Sequence, residues 1–288
     1  DRPGDIKELL EIAKPYIGII TAIGEIPVHI EFFSSPEAVA REKARVVESL
    51  SANGFAILNF DNEAVMNMKE RTRAKIITFG FNENADVKIS SLENRIENGI
   101  PIGVSFKIEY AGSFVPVVLK NVFGRAQVYA AAIAACVGLI FDLNLVEISE
   151  ALSANYQPAK GRMNLLKGIK GAYIINDAYN ASPISMEEAL KTLADLPAER
   201  KIAVLGDMLE LGKYSVEAHE SIGRLAGKIV DVLITVGPRA KFIAESAEAV
   251  GLDKSKILIF DTAGEACIAI QNLIKKGIIR MIKGRTPE

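Results

Sequence analysis

The chain has 288 residues, of which 49% are hydrophobic and 24% are charged, and its formal net charge is −2. This length predicts about two domains, and the composition is that of a globular protein and not of a disordered one. The near-neutral charge argues against a nucleic-acid-binding face and a polybasic membrane patch, and no apolar run approaches the roughly 20 residues of a spanning helix. We therefore expect no nucleic-acid partner and no membrane insertion.

The first half of the chain predicts a parallel sheet that continues into an antiparallel meander. The predicted elements are a helix at 5–14, a strand at 17–23, a helix at 36–50, strands at 55–59 and 75–79, a meander at 86–120, and helices at 127–141 and 146–152. The meander is predicted because β-forming residues alternate around glycine-containing turns. The cysteines Cys136 and Cys267 both fall in Ala/Ile-rich helical patterns, which predicts buried, unreactive thiols in a reducing compartment.

Strands and helices alternate in the second half, after a segment rich in Pro, Lys and Gly at 158–162 that is typical of a hinge. The predicted strands are 172–175, 201–205, 232–236, 257–260 and 278–282, and the predicted helices are 186–196, 215–227, 240–250 and 263–276. Such alternation indicates βαβ units in a parallel, doubly wound sheet. The sequence therefore predicts an α/β fold with a domain boundary between residues 157 and 158.

The segment 172–186 carries the strongest local signal. An apolar strand runs into Asp177-Ala178-Tyr179-Asn180, and a helix begins at Ser182-Pro183. Polar side chains at the carboxyl end of a buried strand, facing a helix N-terminus, are where open α/β sheets bind ligands. The plainer alternative is an Asx turn followed by a helix cap, and the two are compatible.

Lys43 falls in the middle of an apolar helical stripe formed by Val39, Val46, Val47 and Leu50. Burial lowers the pKa of a lysine, and a neutral amine can take up carbon dioxide to form a carbamate that binds a hard cation. The alternative is a lysine whose stem packs while its ammonium reaches water. Spacing alone favours this second interpretation.

Six other residues leave two interpretations open. Asn59, Asp61 and Asn62 follow a predicted strand, where they either bind ribose and adenine or cap the next helix. Arg162, just after the predicted hinge, either reaches a phosphate through its planar fork or is an ordinary surface residue. His29 in a loop and His219 near a helix start are, by position alone, more often structural than ligands.

The D-A-Y-N-A-S-P-I-S-M segment at 177–186 and the L-G-D-M-L-E-L-G segment at 205–212 resemble the C-terminal domain of the Mur ligases, and the similarity extends over nearly the whole chain. The resemblance implies a partial central domain at 1–157 and a Rossmann-like C-terminal domain at 158–288. It also implies a cytoplasmic, monomeric ligase that uses ATP and Mg²⁺. Within the family, these two segments are most similar to those of members that join D-Ala-D-Ala to a UDP-N-acetylmuramoyl-tripeptide through an acyl phosphate during peptidoglycan precursor synthesis.

The resemblance also implies roles for individual residues. Lys43 corresponds to a carbamylated lysine, and with His29 it would hold Mg²⁺. The implied nucleotide-binding residues are Asn59, Arg162, Asp177, Tyr179 and Asn180. Asp207 and Glu210 would line the cleft for the incoming amine.

The sequence departs from the family pattern at several places. No G-x-x-x-x-G-K-[ST] phosphate loop occurs in these residues, and Ala130 stands where the family has an adenine-facing Asn. Because Asp1-Arg2-Pro3-Gly4 begins at a turn, we expect a fragment, and because the phosphate loop is missing, we expect it to be inactive alone. Two alternatives remain: a folylpolyglutamate synthase-like or cyanophycin-type ligase, and a non-catalytic relative that binds nucleotide or peptide.

Overall fold

The computed structural model describes residues 1–273 and 278–284, which divide into two compact units. The first unit contains residues 1–93, 104–120 and 126–156, and the second contains residues 94–103, 121–125 and those from 157 onward. Each unit is built around one six-stranded sheet.

The first sheet has the strand order β1-β2-β3-β4-β5-β6, and β1 to β4 are parallel. Its strands are β1 (Ile17–Ile20), β2 (Phe55–Asn59), β3 (Lys75–Gly80), β4 (Val87–Glu97), β5 (Ile100–Tyr110) and β6 (Ser113–Lys120). The helices in this part of the chain are α1 (Asp5–Ile12), α2 (Pro36–Glu48), α3 (Glu63–Met66), α4 (Arg125–Ile140) and α5 (Leu145–Asn155).

Local sequence explains the turns and helix starts of this unit. Both meander turns place two consecutive residues at positive φ: Asn98-Gly99 at 52° and 77°, and Ala111-Gly112 at 49° and 79°. Two-residue hairpin turns of this hand match the twist of the flanking strands. Helix α2 begins where Ser35 Oγ accepts the Ala38 N–H at 3.3 Å, with Pro36 in the first turn.

The second sheet has the order β11-β10-β9-β12-β8-β7, and only β7 in this order is antiparallel to its neighbour. Its strands are β7 (Asn164–Lys167), β8 (Tyr173–Asp177), β9 (Arg200–Gly206), β10 (Val232–Val236), β11 (Ile257–Phe260) and β12 (Ile278–Lys283). The helices are α6 (Pro183–Asp195), α7 (Ser215–Ala226), α8 (Lys241–Ala249) and α9 (Ala263–Leu273).

The second sheet is wound in two directions. The connections from β8 to β11 move across the sheet one way, and the connection from β11 to β12 moves back. Right-handed crossovers then place α6, α7 and α8 on one face and α9 on the other. Accordingly, Ala266 of α9 packs with Ile202, Val204 and Ile234, which alternate along their strands with residues of the opposite face.

The predicted fold class is confirmed: both units are α/β, with a parallel sheet and meander first and a doubly wound sheet second. The short edge strand β7 was not predicted, because four residues behind a Pro/Gly-rich segment carry little pattern. The prediction that both thiols are buried is wrong for Cys267, which is exposed because the neighbouring Ala266 takes the buried face of α9. Residues 274–276 of the predicted last helix lie outside the described residues. Among residues 1–273 and 278–284, no helix is long and apolar enough to cross a membrane.

Candidate functional site

The linker residues Gly161, Arg162 and Met163 are bound to the corner that follows β8. The Tyr179 N–H donates to the Gly161 carbonyl at 3.2 Å, and the Met163 N–H donates to Asp177 Oδ1 at 3.1 Å. The Arg162 guanidinium lies 4.2 Å from the centroid of the Tyr179 ring, within the range of a cation–π contact. The carboxyl end of the predicted hinge segment is therefore held by residues of the second unit.

Asp177 is buried and its carboxylate is fully engaged within the second unit. Oδ2 accepts from Lys283 Nζ at 2.5 Å, and Oδ1 accepts the Met163 N–H. Burial raises the pKa of Asp177 and lowers the pKa of Lys283, while the attraction between the two charges opposes both shifts. Asp177 thus anchors the linker, and the exposed groups of the corner are Tyr179 and Arg162.

Asn180 and the start of α6 complete the corner through local bonds. Asn180 Oδ1 accepts the N–H of the following Ala181 at 2.9 Å. Ser182 caps α6 by a reciprocal pair of bonds with Ser185, whose Oγ accepts the Ser182 N–H at 3.0 Å. The predicted cap is present, and the Asx turn is made by Asn176, whose Oδ1 accepts the Ala178 N–H at 3.2 Å. Tyr179 projects from this corner and is exposed.

A cavity of about 710 Å³ lies at the carboxyl ends of the parallel strands of the second unit. Its lining is mostly apolar, and its polar side chains lie at or just after the carboxyl ends of the strands: Asp207, Asp261, Thr262 and Lys283. This edge is where ligands bind in open α/β sheets. Asp207 lines the cavity as predicted, whereas the lining does not include Glu210.

Asp207 also holds the start of α8. Its Oδ1 accepts the N–H groups of Arg239 at 3.0 Å and Ala240 at 2.7 Å, so the carboxylate satisfies donors at a helix N-terminus. Gly237, at φ 111°, passes so close that an added Cβ would lie 2.6 Å from Asp207 Oδ1. The position of Asp207 is therefore fixed by α8 as well as by its own loop.

His219 is buried on α7 beneath the loop that follows β9. Its Nε2 accepts the Met208 N–H at 3.0 Å, and its Nδ1 lies 2.6 Å from the Ser215 carbonyl oxygen. Burial lowers the pKa of His219, against a smaller opposing effect of the Ser215 carbonyl. The structural role favoured by its position in the sequence is the one observed.

In the first unit, the polar residues after β2 bind the backbone. Asn59 is buried, its Nδ2 donates to the Thr21 carbonyl at 2.8 Å, and its Oδ1 accepts the Asp61 N–H at 2.9 Å. Asn62 caps α3 by accepting the Val65 N–H at 3.1 Å. Of the two interpretations left open for this segment, the capping one describes Asn62.

Asp61 is the more exposed member of this segment and connects it to α4. Its carboxylate accepts the N–H groups of Phe81 at 2.6 Å and Asn82 at 2.9 Å, and the Tyr129 hydroxyl at 2.8 Å. The Tyr129 ring packs edge-on against Phe79 and Phe81. An aromatic cluster of Phe79, Phe81 and Tyr129 therefore lies at the carboxyl end of β3. Its member Tyr129 directly precedes Ala130 in the sequence.

Lys43 is half-buried on α2, and the buried charged residue of this helix is its neighbour Glu42. The Glu42 carboxylate accepts the N–H groups of Gly4 at 3.0 Å and Ile6 at 3.3 Å, and Arg45 Nε at 2.9 Å. The buried apolar residues of α2 are Val39, Ala44 and Val47, and Lys43, which lies between Val39 and Val47 on the same face, is only half-buried.

His29 adopts a left-handed conformation, with φ 64°, just before a short 3-10 helix. Its Nε2 lies 3.1 Å from Asp1 Oδ1. Within the described part of the chain, no three His, Cys, Asp or Glu side chains are grouped so as to hold a metal ion. The predicted pairing of His29 with a modified Lys43 on one Mg²⁺ therefore stays a prediction.

Sequence reasoning missed three residues of these sites. Asp261 and Lys283 each lie at or after the end of a predicted strand, which is the signal that identified Asp177, so both were within reach of the sequence. Glu42 gave no such signal, because its partners Gly4 and Ile6 lie far along the chain and their proximity depends on the fold.

Two family models match the chain. The Mur ligase middle domain matches residues 2–138, and the Mur ligase glutamate ligase domain matches residues 161–286.

Curated relatives with the name UDP-N-acetylmuramoyl-tripeptide–D-alanyl-D-alanine ligase align with most of the chain. The relative from Mycobacterium leprae is 33% identical over 82% of this chain and 49% of its own length. The relative from Rickettsia prowazekii is 30% identical over 98% of this chain and 61% of its own length. The chain thus spans about half to three fifths of the length of these relatives.

Solved structures resemble the chain throughout. A MurF structure from Acinetobacter baumannii has a TM-score of 0.83 at 26% identity and covers 99% of this chain and 60% of its own. A MurF structure from Thermotoga maritima in complex with ADP has a TM-score of 0.81 at 24% identity, covers 99% of this chain and 62% of its own, and shows the shared fold.

Proposed function

Since the chain belongs to the Mur ligase family, we propose that it supplies the central and C-terminal domains of an ATP-dependent amide ligase that joins D-Ala-D-Ala to UDP-N-acetylmuramoyl-tripeptide. The relatives from Mycobacterium leprae and Rickettsia prowazekii carry this activity in their names. The alternatives within the fold are a folylpolyglutamate synthase-like or cyanophycin-type ligase, and the D-A-Y-N-A-S-P-I-S-M and L-G-D-M-L-E-L-G segments favour the D-Ala-D-Ala reaction.

In this reaction, a carboxylate oxygen of the tripeptide attacks the γ-phosphorus of ATP, and ADP leaves. The amine of D-Ala-D-Ala then attacks the acyl carbon, the new amide loses a proton, and inorganic phosphate leaves. No bond to the enzyme forms, so catalysis consists of positioning the reactants and neutralising developing charge.

The observation that carries the proposal is the corner formed by Arg162 and Tyr179 at the carboxyl end of β8. A guanidinium offers a planar fork of donors to a phosphate, and a phenol ring offers a flat face and a hydroxyl to a ribose or base. The Tyr179 N–H bond to Gly161 and the Met163 bond to Asp177 fix this pair to the sheet. We assign nucleotide binding to Arg162 and Tyr179, with Asp177 and Asn180 holding the turn.

We assign the incoming dipeptide to the cavity. Its apolar walls suit two alanine side chains, and Asp207 and Asp261 place carboxylates at its rim for an ammonium group. Because Asp207 Oδ1 is already bound by two backbone N–H groups, Asp261 is the carboxylate better placed to bind the amine. Glu210 remains a proposed contributor from the same loop, as does Asn59 for the nucleotide in the first unit.

Magnesium would supply charge neutralisation on the phosphates. A carbamate on Lys43 and the His29 imidazole would give this ion only two protein ligands. They fit magnesium only if water and phosphate oxygens fill the remaining positions of its octahedron, as is usual for magnesium at nucleotides. Carbon-13 NMR in labelled bicarbonate tests the modification: we expect one carbamate signal, lost in Lys43→Arg and kept in the exposed control Lys69→Arg. Absence of the signal from the unsubstituted chain contradicts the assignment.

The cellular setting follows from the chemistry. ATP and UDP-linked precursors are cytoplasmic metabolites, and the two cysteines are free thiols, so we propose a cytoplasmic enzyme. We also propose that it is a monomer. Sedimentation equilibrium of the chain checks the monomer.

Binding to the chain itself tests the two site assignments separately. We expect Arg162→Met and Tyr179→Ala to weaken calorimetric binding of MgADP by about tenfold each, with Arg224→Met on α7 as the control. For D-Ala-D-Ala, Asp261→Asn should weaken binding, whereas Asp253→Asn, at the opposite end of β11, should not. Equal effects of Asp261→Asn and its control would contradict the assignment of the dipeptide to the cavity.

Turnover tests the reaction. Because these residues contain no phosphate loop, we expect no ADP release from the chain alone with both substrates. A chimera in which the chain replaces the matching part of the Bacillus subtilis relative should form the amide. Its activity should be higher with UDP-N-acetylmuramoyl-tripeptide and D-Ala-D-Ala than with a folate and glutamate. A folded chimera that binds MgADP but joins neither pair would support the non-catalytic alternative.

A further inference from the structure

The loop from Gly206 to Gly212 connects β9 to α7 and borders the cavity. Asp207 and Leu209 line the cavity, while Met208 and Leu211 are buried beneath the loop. Glu210 has a φ of 63°, a left-handed conformation that is sterically unfavourable for a residue with a Cβ. A loop with such a residue needs specific contacts to keep its shape, and a side chain of α7 supplies one of them by a hydrogen bond to the Met208 backbone.

That side chain is His219, whose two nitrogens are both used. The Ser215 carbonyl can only accept, so Nδ1 carries the hydrogen and donates at 2.6 Å. The Met208 backbone N–H can only donate, so Nε2 carries no hydrogen and accepts at 3.0 Å. The arrangement fits the neutral Nδ1–H tautomer alone, because a second proton on Nε2 would point at the Met208 hydrogen.

The surroundings of the imidazole agree with a neutral state. His219 is completely buried, and burial is the main cause that lowers its pKa. The Ser215 carbonyl on its own helix and the Asp207 carboxylate on the loop act in the opposite direction, and the Arg239 guanidinium before α8 acts with burial. These are the polar and charged groups of the described residues that shift its titration.

We propose that His219 is a positioning residue that fixes the 206–212 loop against α7, and that protonation of its Nε2 releases the loop. The effect on catalysis rests on the proposed function, since the loop carries Asp207 and Leu209 into the cavity assigned to the dipeptide. The release of the loop itself does not depend on any ligand.

Hydrogen exchange of the Met208 amide tests the proposal on the chain as it is. Exchange is expressed as a protection factor, which removes the intrinsic pH dependence of exchange, and is measured from pH 8 downward together with the imidazole ¹⁵N shifts of His219. We expect the protection factor to fall by about tenfold as the imidazole signal titrates, with α8 amides as the internal reference. Full protection of Met208 on a protonated His219 would overturn the proposal.

Two variants separate positioning from general stability. In His219→Gln, an amide oxygen near the Nε2 position can accept the same N–H but does not titrate, so Met208 protection should persist and lose its pH dependence. His219→Leu should lose the protection at every pH, and the control Glu220→Gln should behave as the unsubstituted chain. A pH response that persists in His219→Gln refutes the role of the imidazole.

Calorimetry with D-Ala-D-Ala distinguishes this inference from the proposed function. If the loop responds to pH as expected but the dipeptide does not bind at pH 8, the dipeptide assignment fails and the positioning role stands. If the dipeptide binds equally well with the loop protected and released, His219 has no bearing on the cavity.

Discussion

Lys283 and Asp177 oppose each other across β12 and β8, with Nζ 2.5 Å from Oδ2 and with 3% and 6% of their surfaces exposed. Two charges so deeply buried are tolerated only because they are paired, since the desolvation of each is costly alone. The pair also holds the linker, because Asp177 Oδ1 accepts the Met163 N–H. One buried ion pair therefore connects the end of β12, the corner after β8 and the residue that follows Arg162.

Removing one member of this pair should be worse than removing both. We expect Lys283→Met to lower the free energy of unfolding by about 3–5 kcal/mol, because it leaves a buried carboxylate without its counter-charge. Asp177→Asn combined with Lys283→Met should recover much of that loss, since the Asn oxygen still accepts the Met163 N–H. Urea unfolding of Lys283→Met, of Asp177→Asn alone and of the double variant measures the coupling, and additive losses would contradict the pairing.

Gly237 and Gly251 flank α8 and form a matched pair. Both have positive φ, at 111° and 106°, but a Cβ on Gly237 would meet Asp207 Oδ1 at 2.6 Å while a Cβ on Gly251 would meet nothing within 4 Å. Gly251→Ala should cost about 1 kcal/mol of backbone strain. Gly237→Ala should cost about 1–3 kcal/mol more, because the carboxylate it displaces is bound to Arg239 and Ala240. Equal melting temperatures of the two variants would show that the carboxylate moves freely.

The sequence predicted the fold because its signals are local. Buried parallel strands, the Ser35-Pro36 and Ser182-Pro183 helix starts and the glycine turns of the meander each depend on a few adjacent residues. The Asp177 corner was predictable for the same reason. By contrast, Glu42, the Lys283 partner of Asp177 and the role of His219 depend on contacts between residues 11 to 106 positions apart, and no periodicity encodes them.

Glu42 is expected to hold α1 in place. No residue of α1 is buried, and the Glu42 carboxylate accepts the Gly4 and Ile6 N–H groups at its start. Glu42→Ala should destabilise the unit by about 1–3 kcal/mol and expose residues 1–12 to limited proteolysis. Glu48→Ala, which breaks only a surface pair with Arg71, should cost less than about 1 kcal/mol and leave the cleavage pattern unchanged. Equal protease resistance of both variants would assign the anchoring of α1 to other contacts.

The neutral state of His219 should make the stability of the chain depend on pH. Its pKa is lowered in the folded state, so the unfolded chain binds the proton more tightly. The stabilisation is complete above the unfolded pKa of about 6.5 and is lost as the pH falls toward the lower folded value. Denaturant unfolding between pH 8 and pH 5 should show this slope, and His219→Gln should reduce it. An unchanged slope in the variant would assign the dependence to other groups.

The two thiols should differ sharply in reactivity. Burial raises the pKa of Cys136 to about 12, so at pH 8 only about one thiol in ten thousand is ionised, and the thiolate is the reactive form. Cys267 is exposed on α9. An aromatic disulfide reagent should therefore modify one thiol quickly in the folded chain and the second only after unfolding. Cys267→Ser should abolish the fast phase, and Cys136→Ser should abolish the slow one. Because Cys136 lies in α4 and reacts only when the first unit opens, its slow phase should report the unfolding of that unit, and Glu42→Ala should accelerate it.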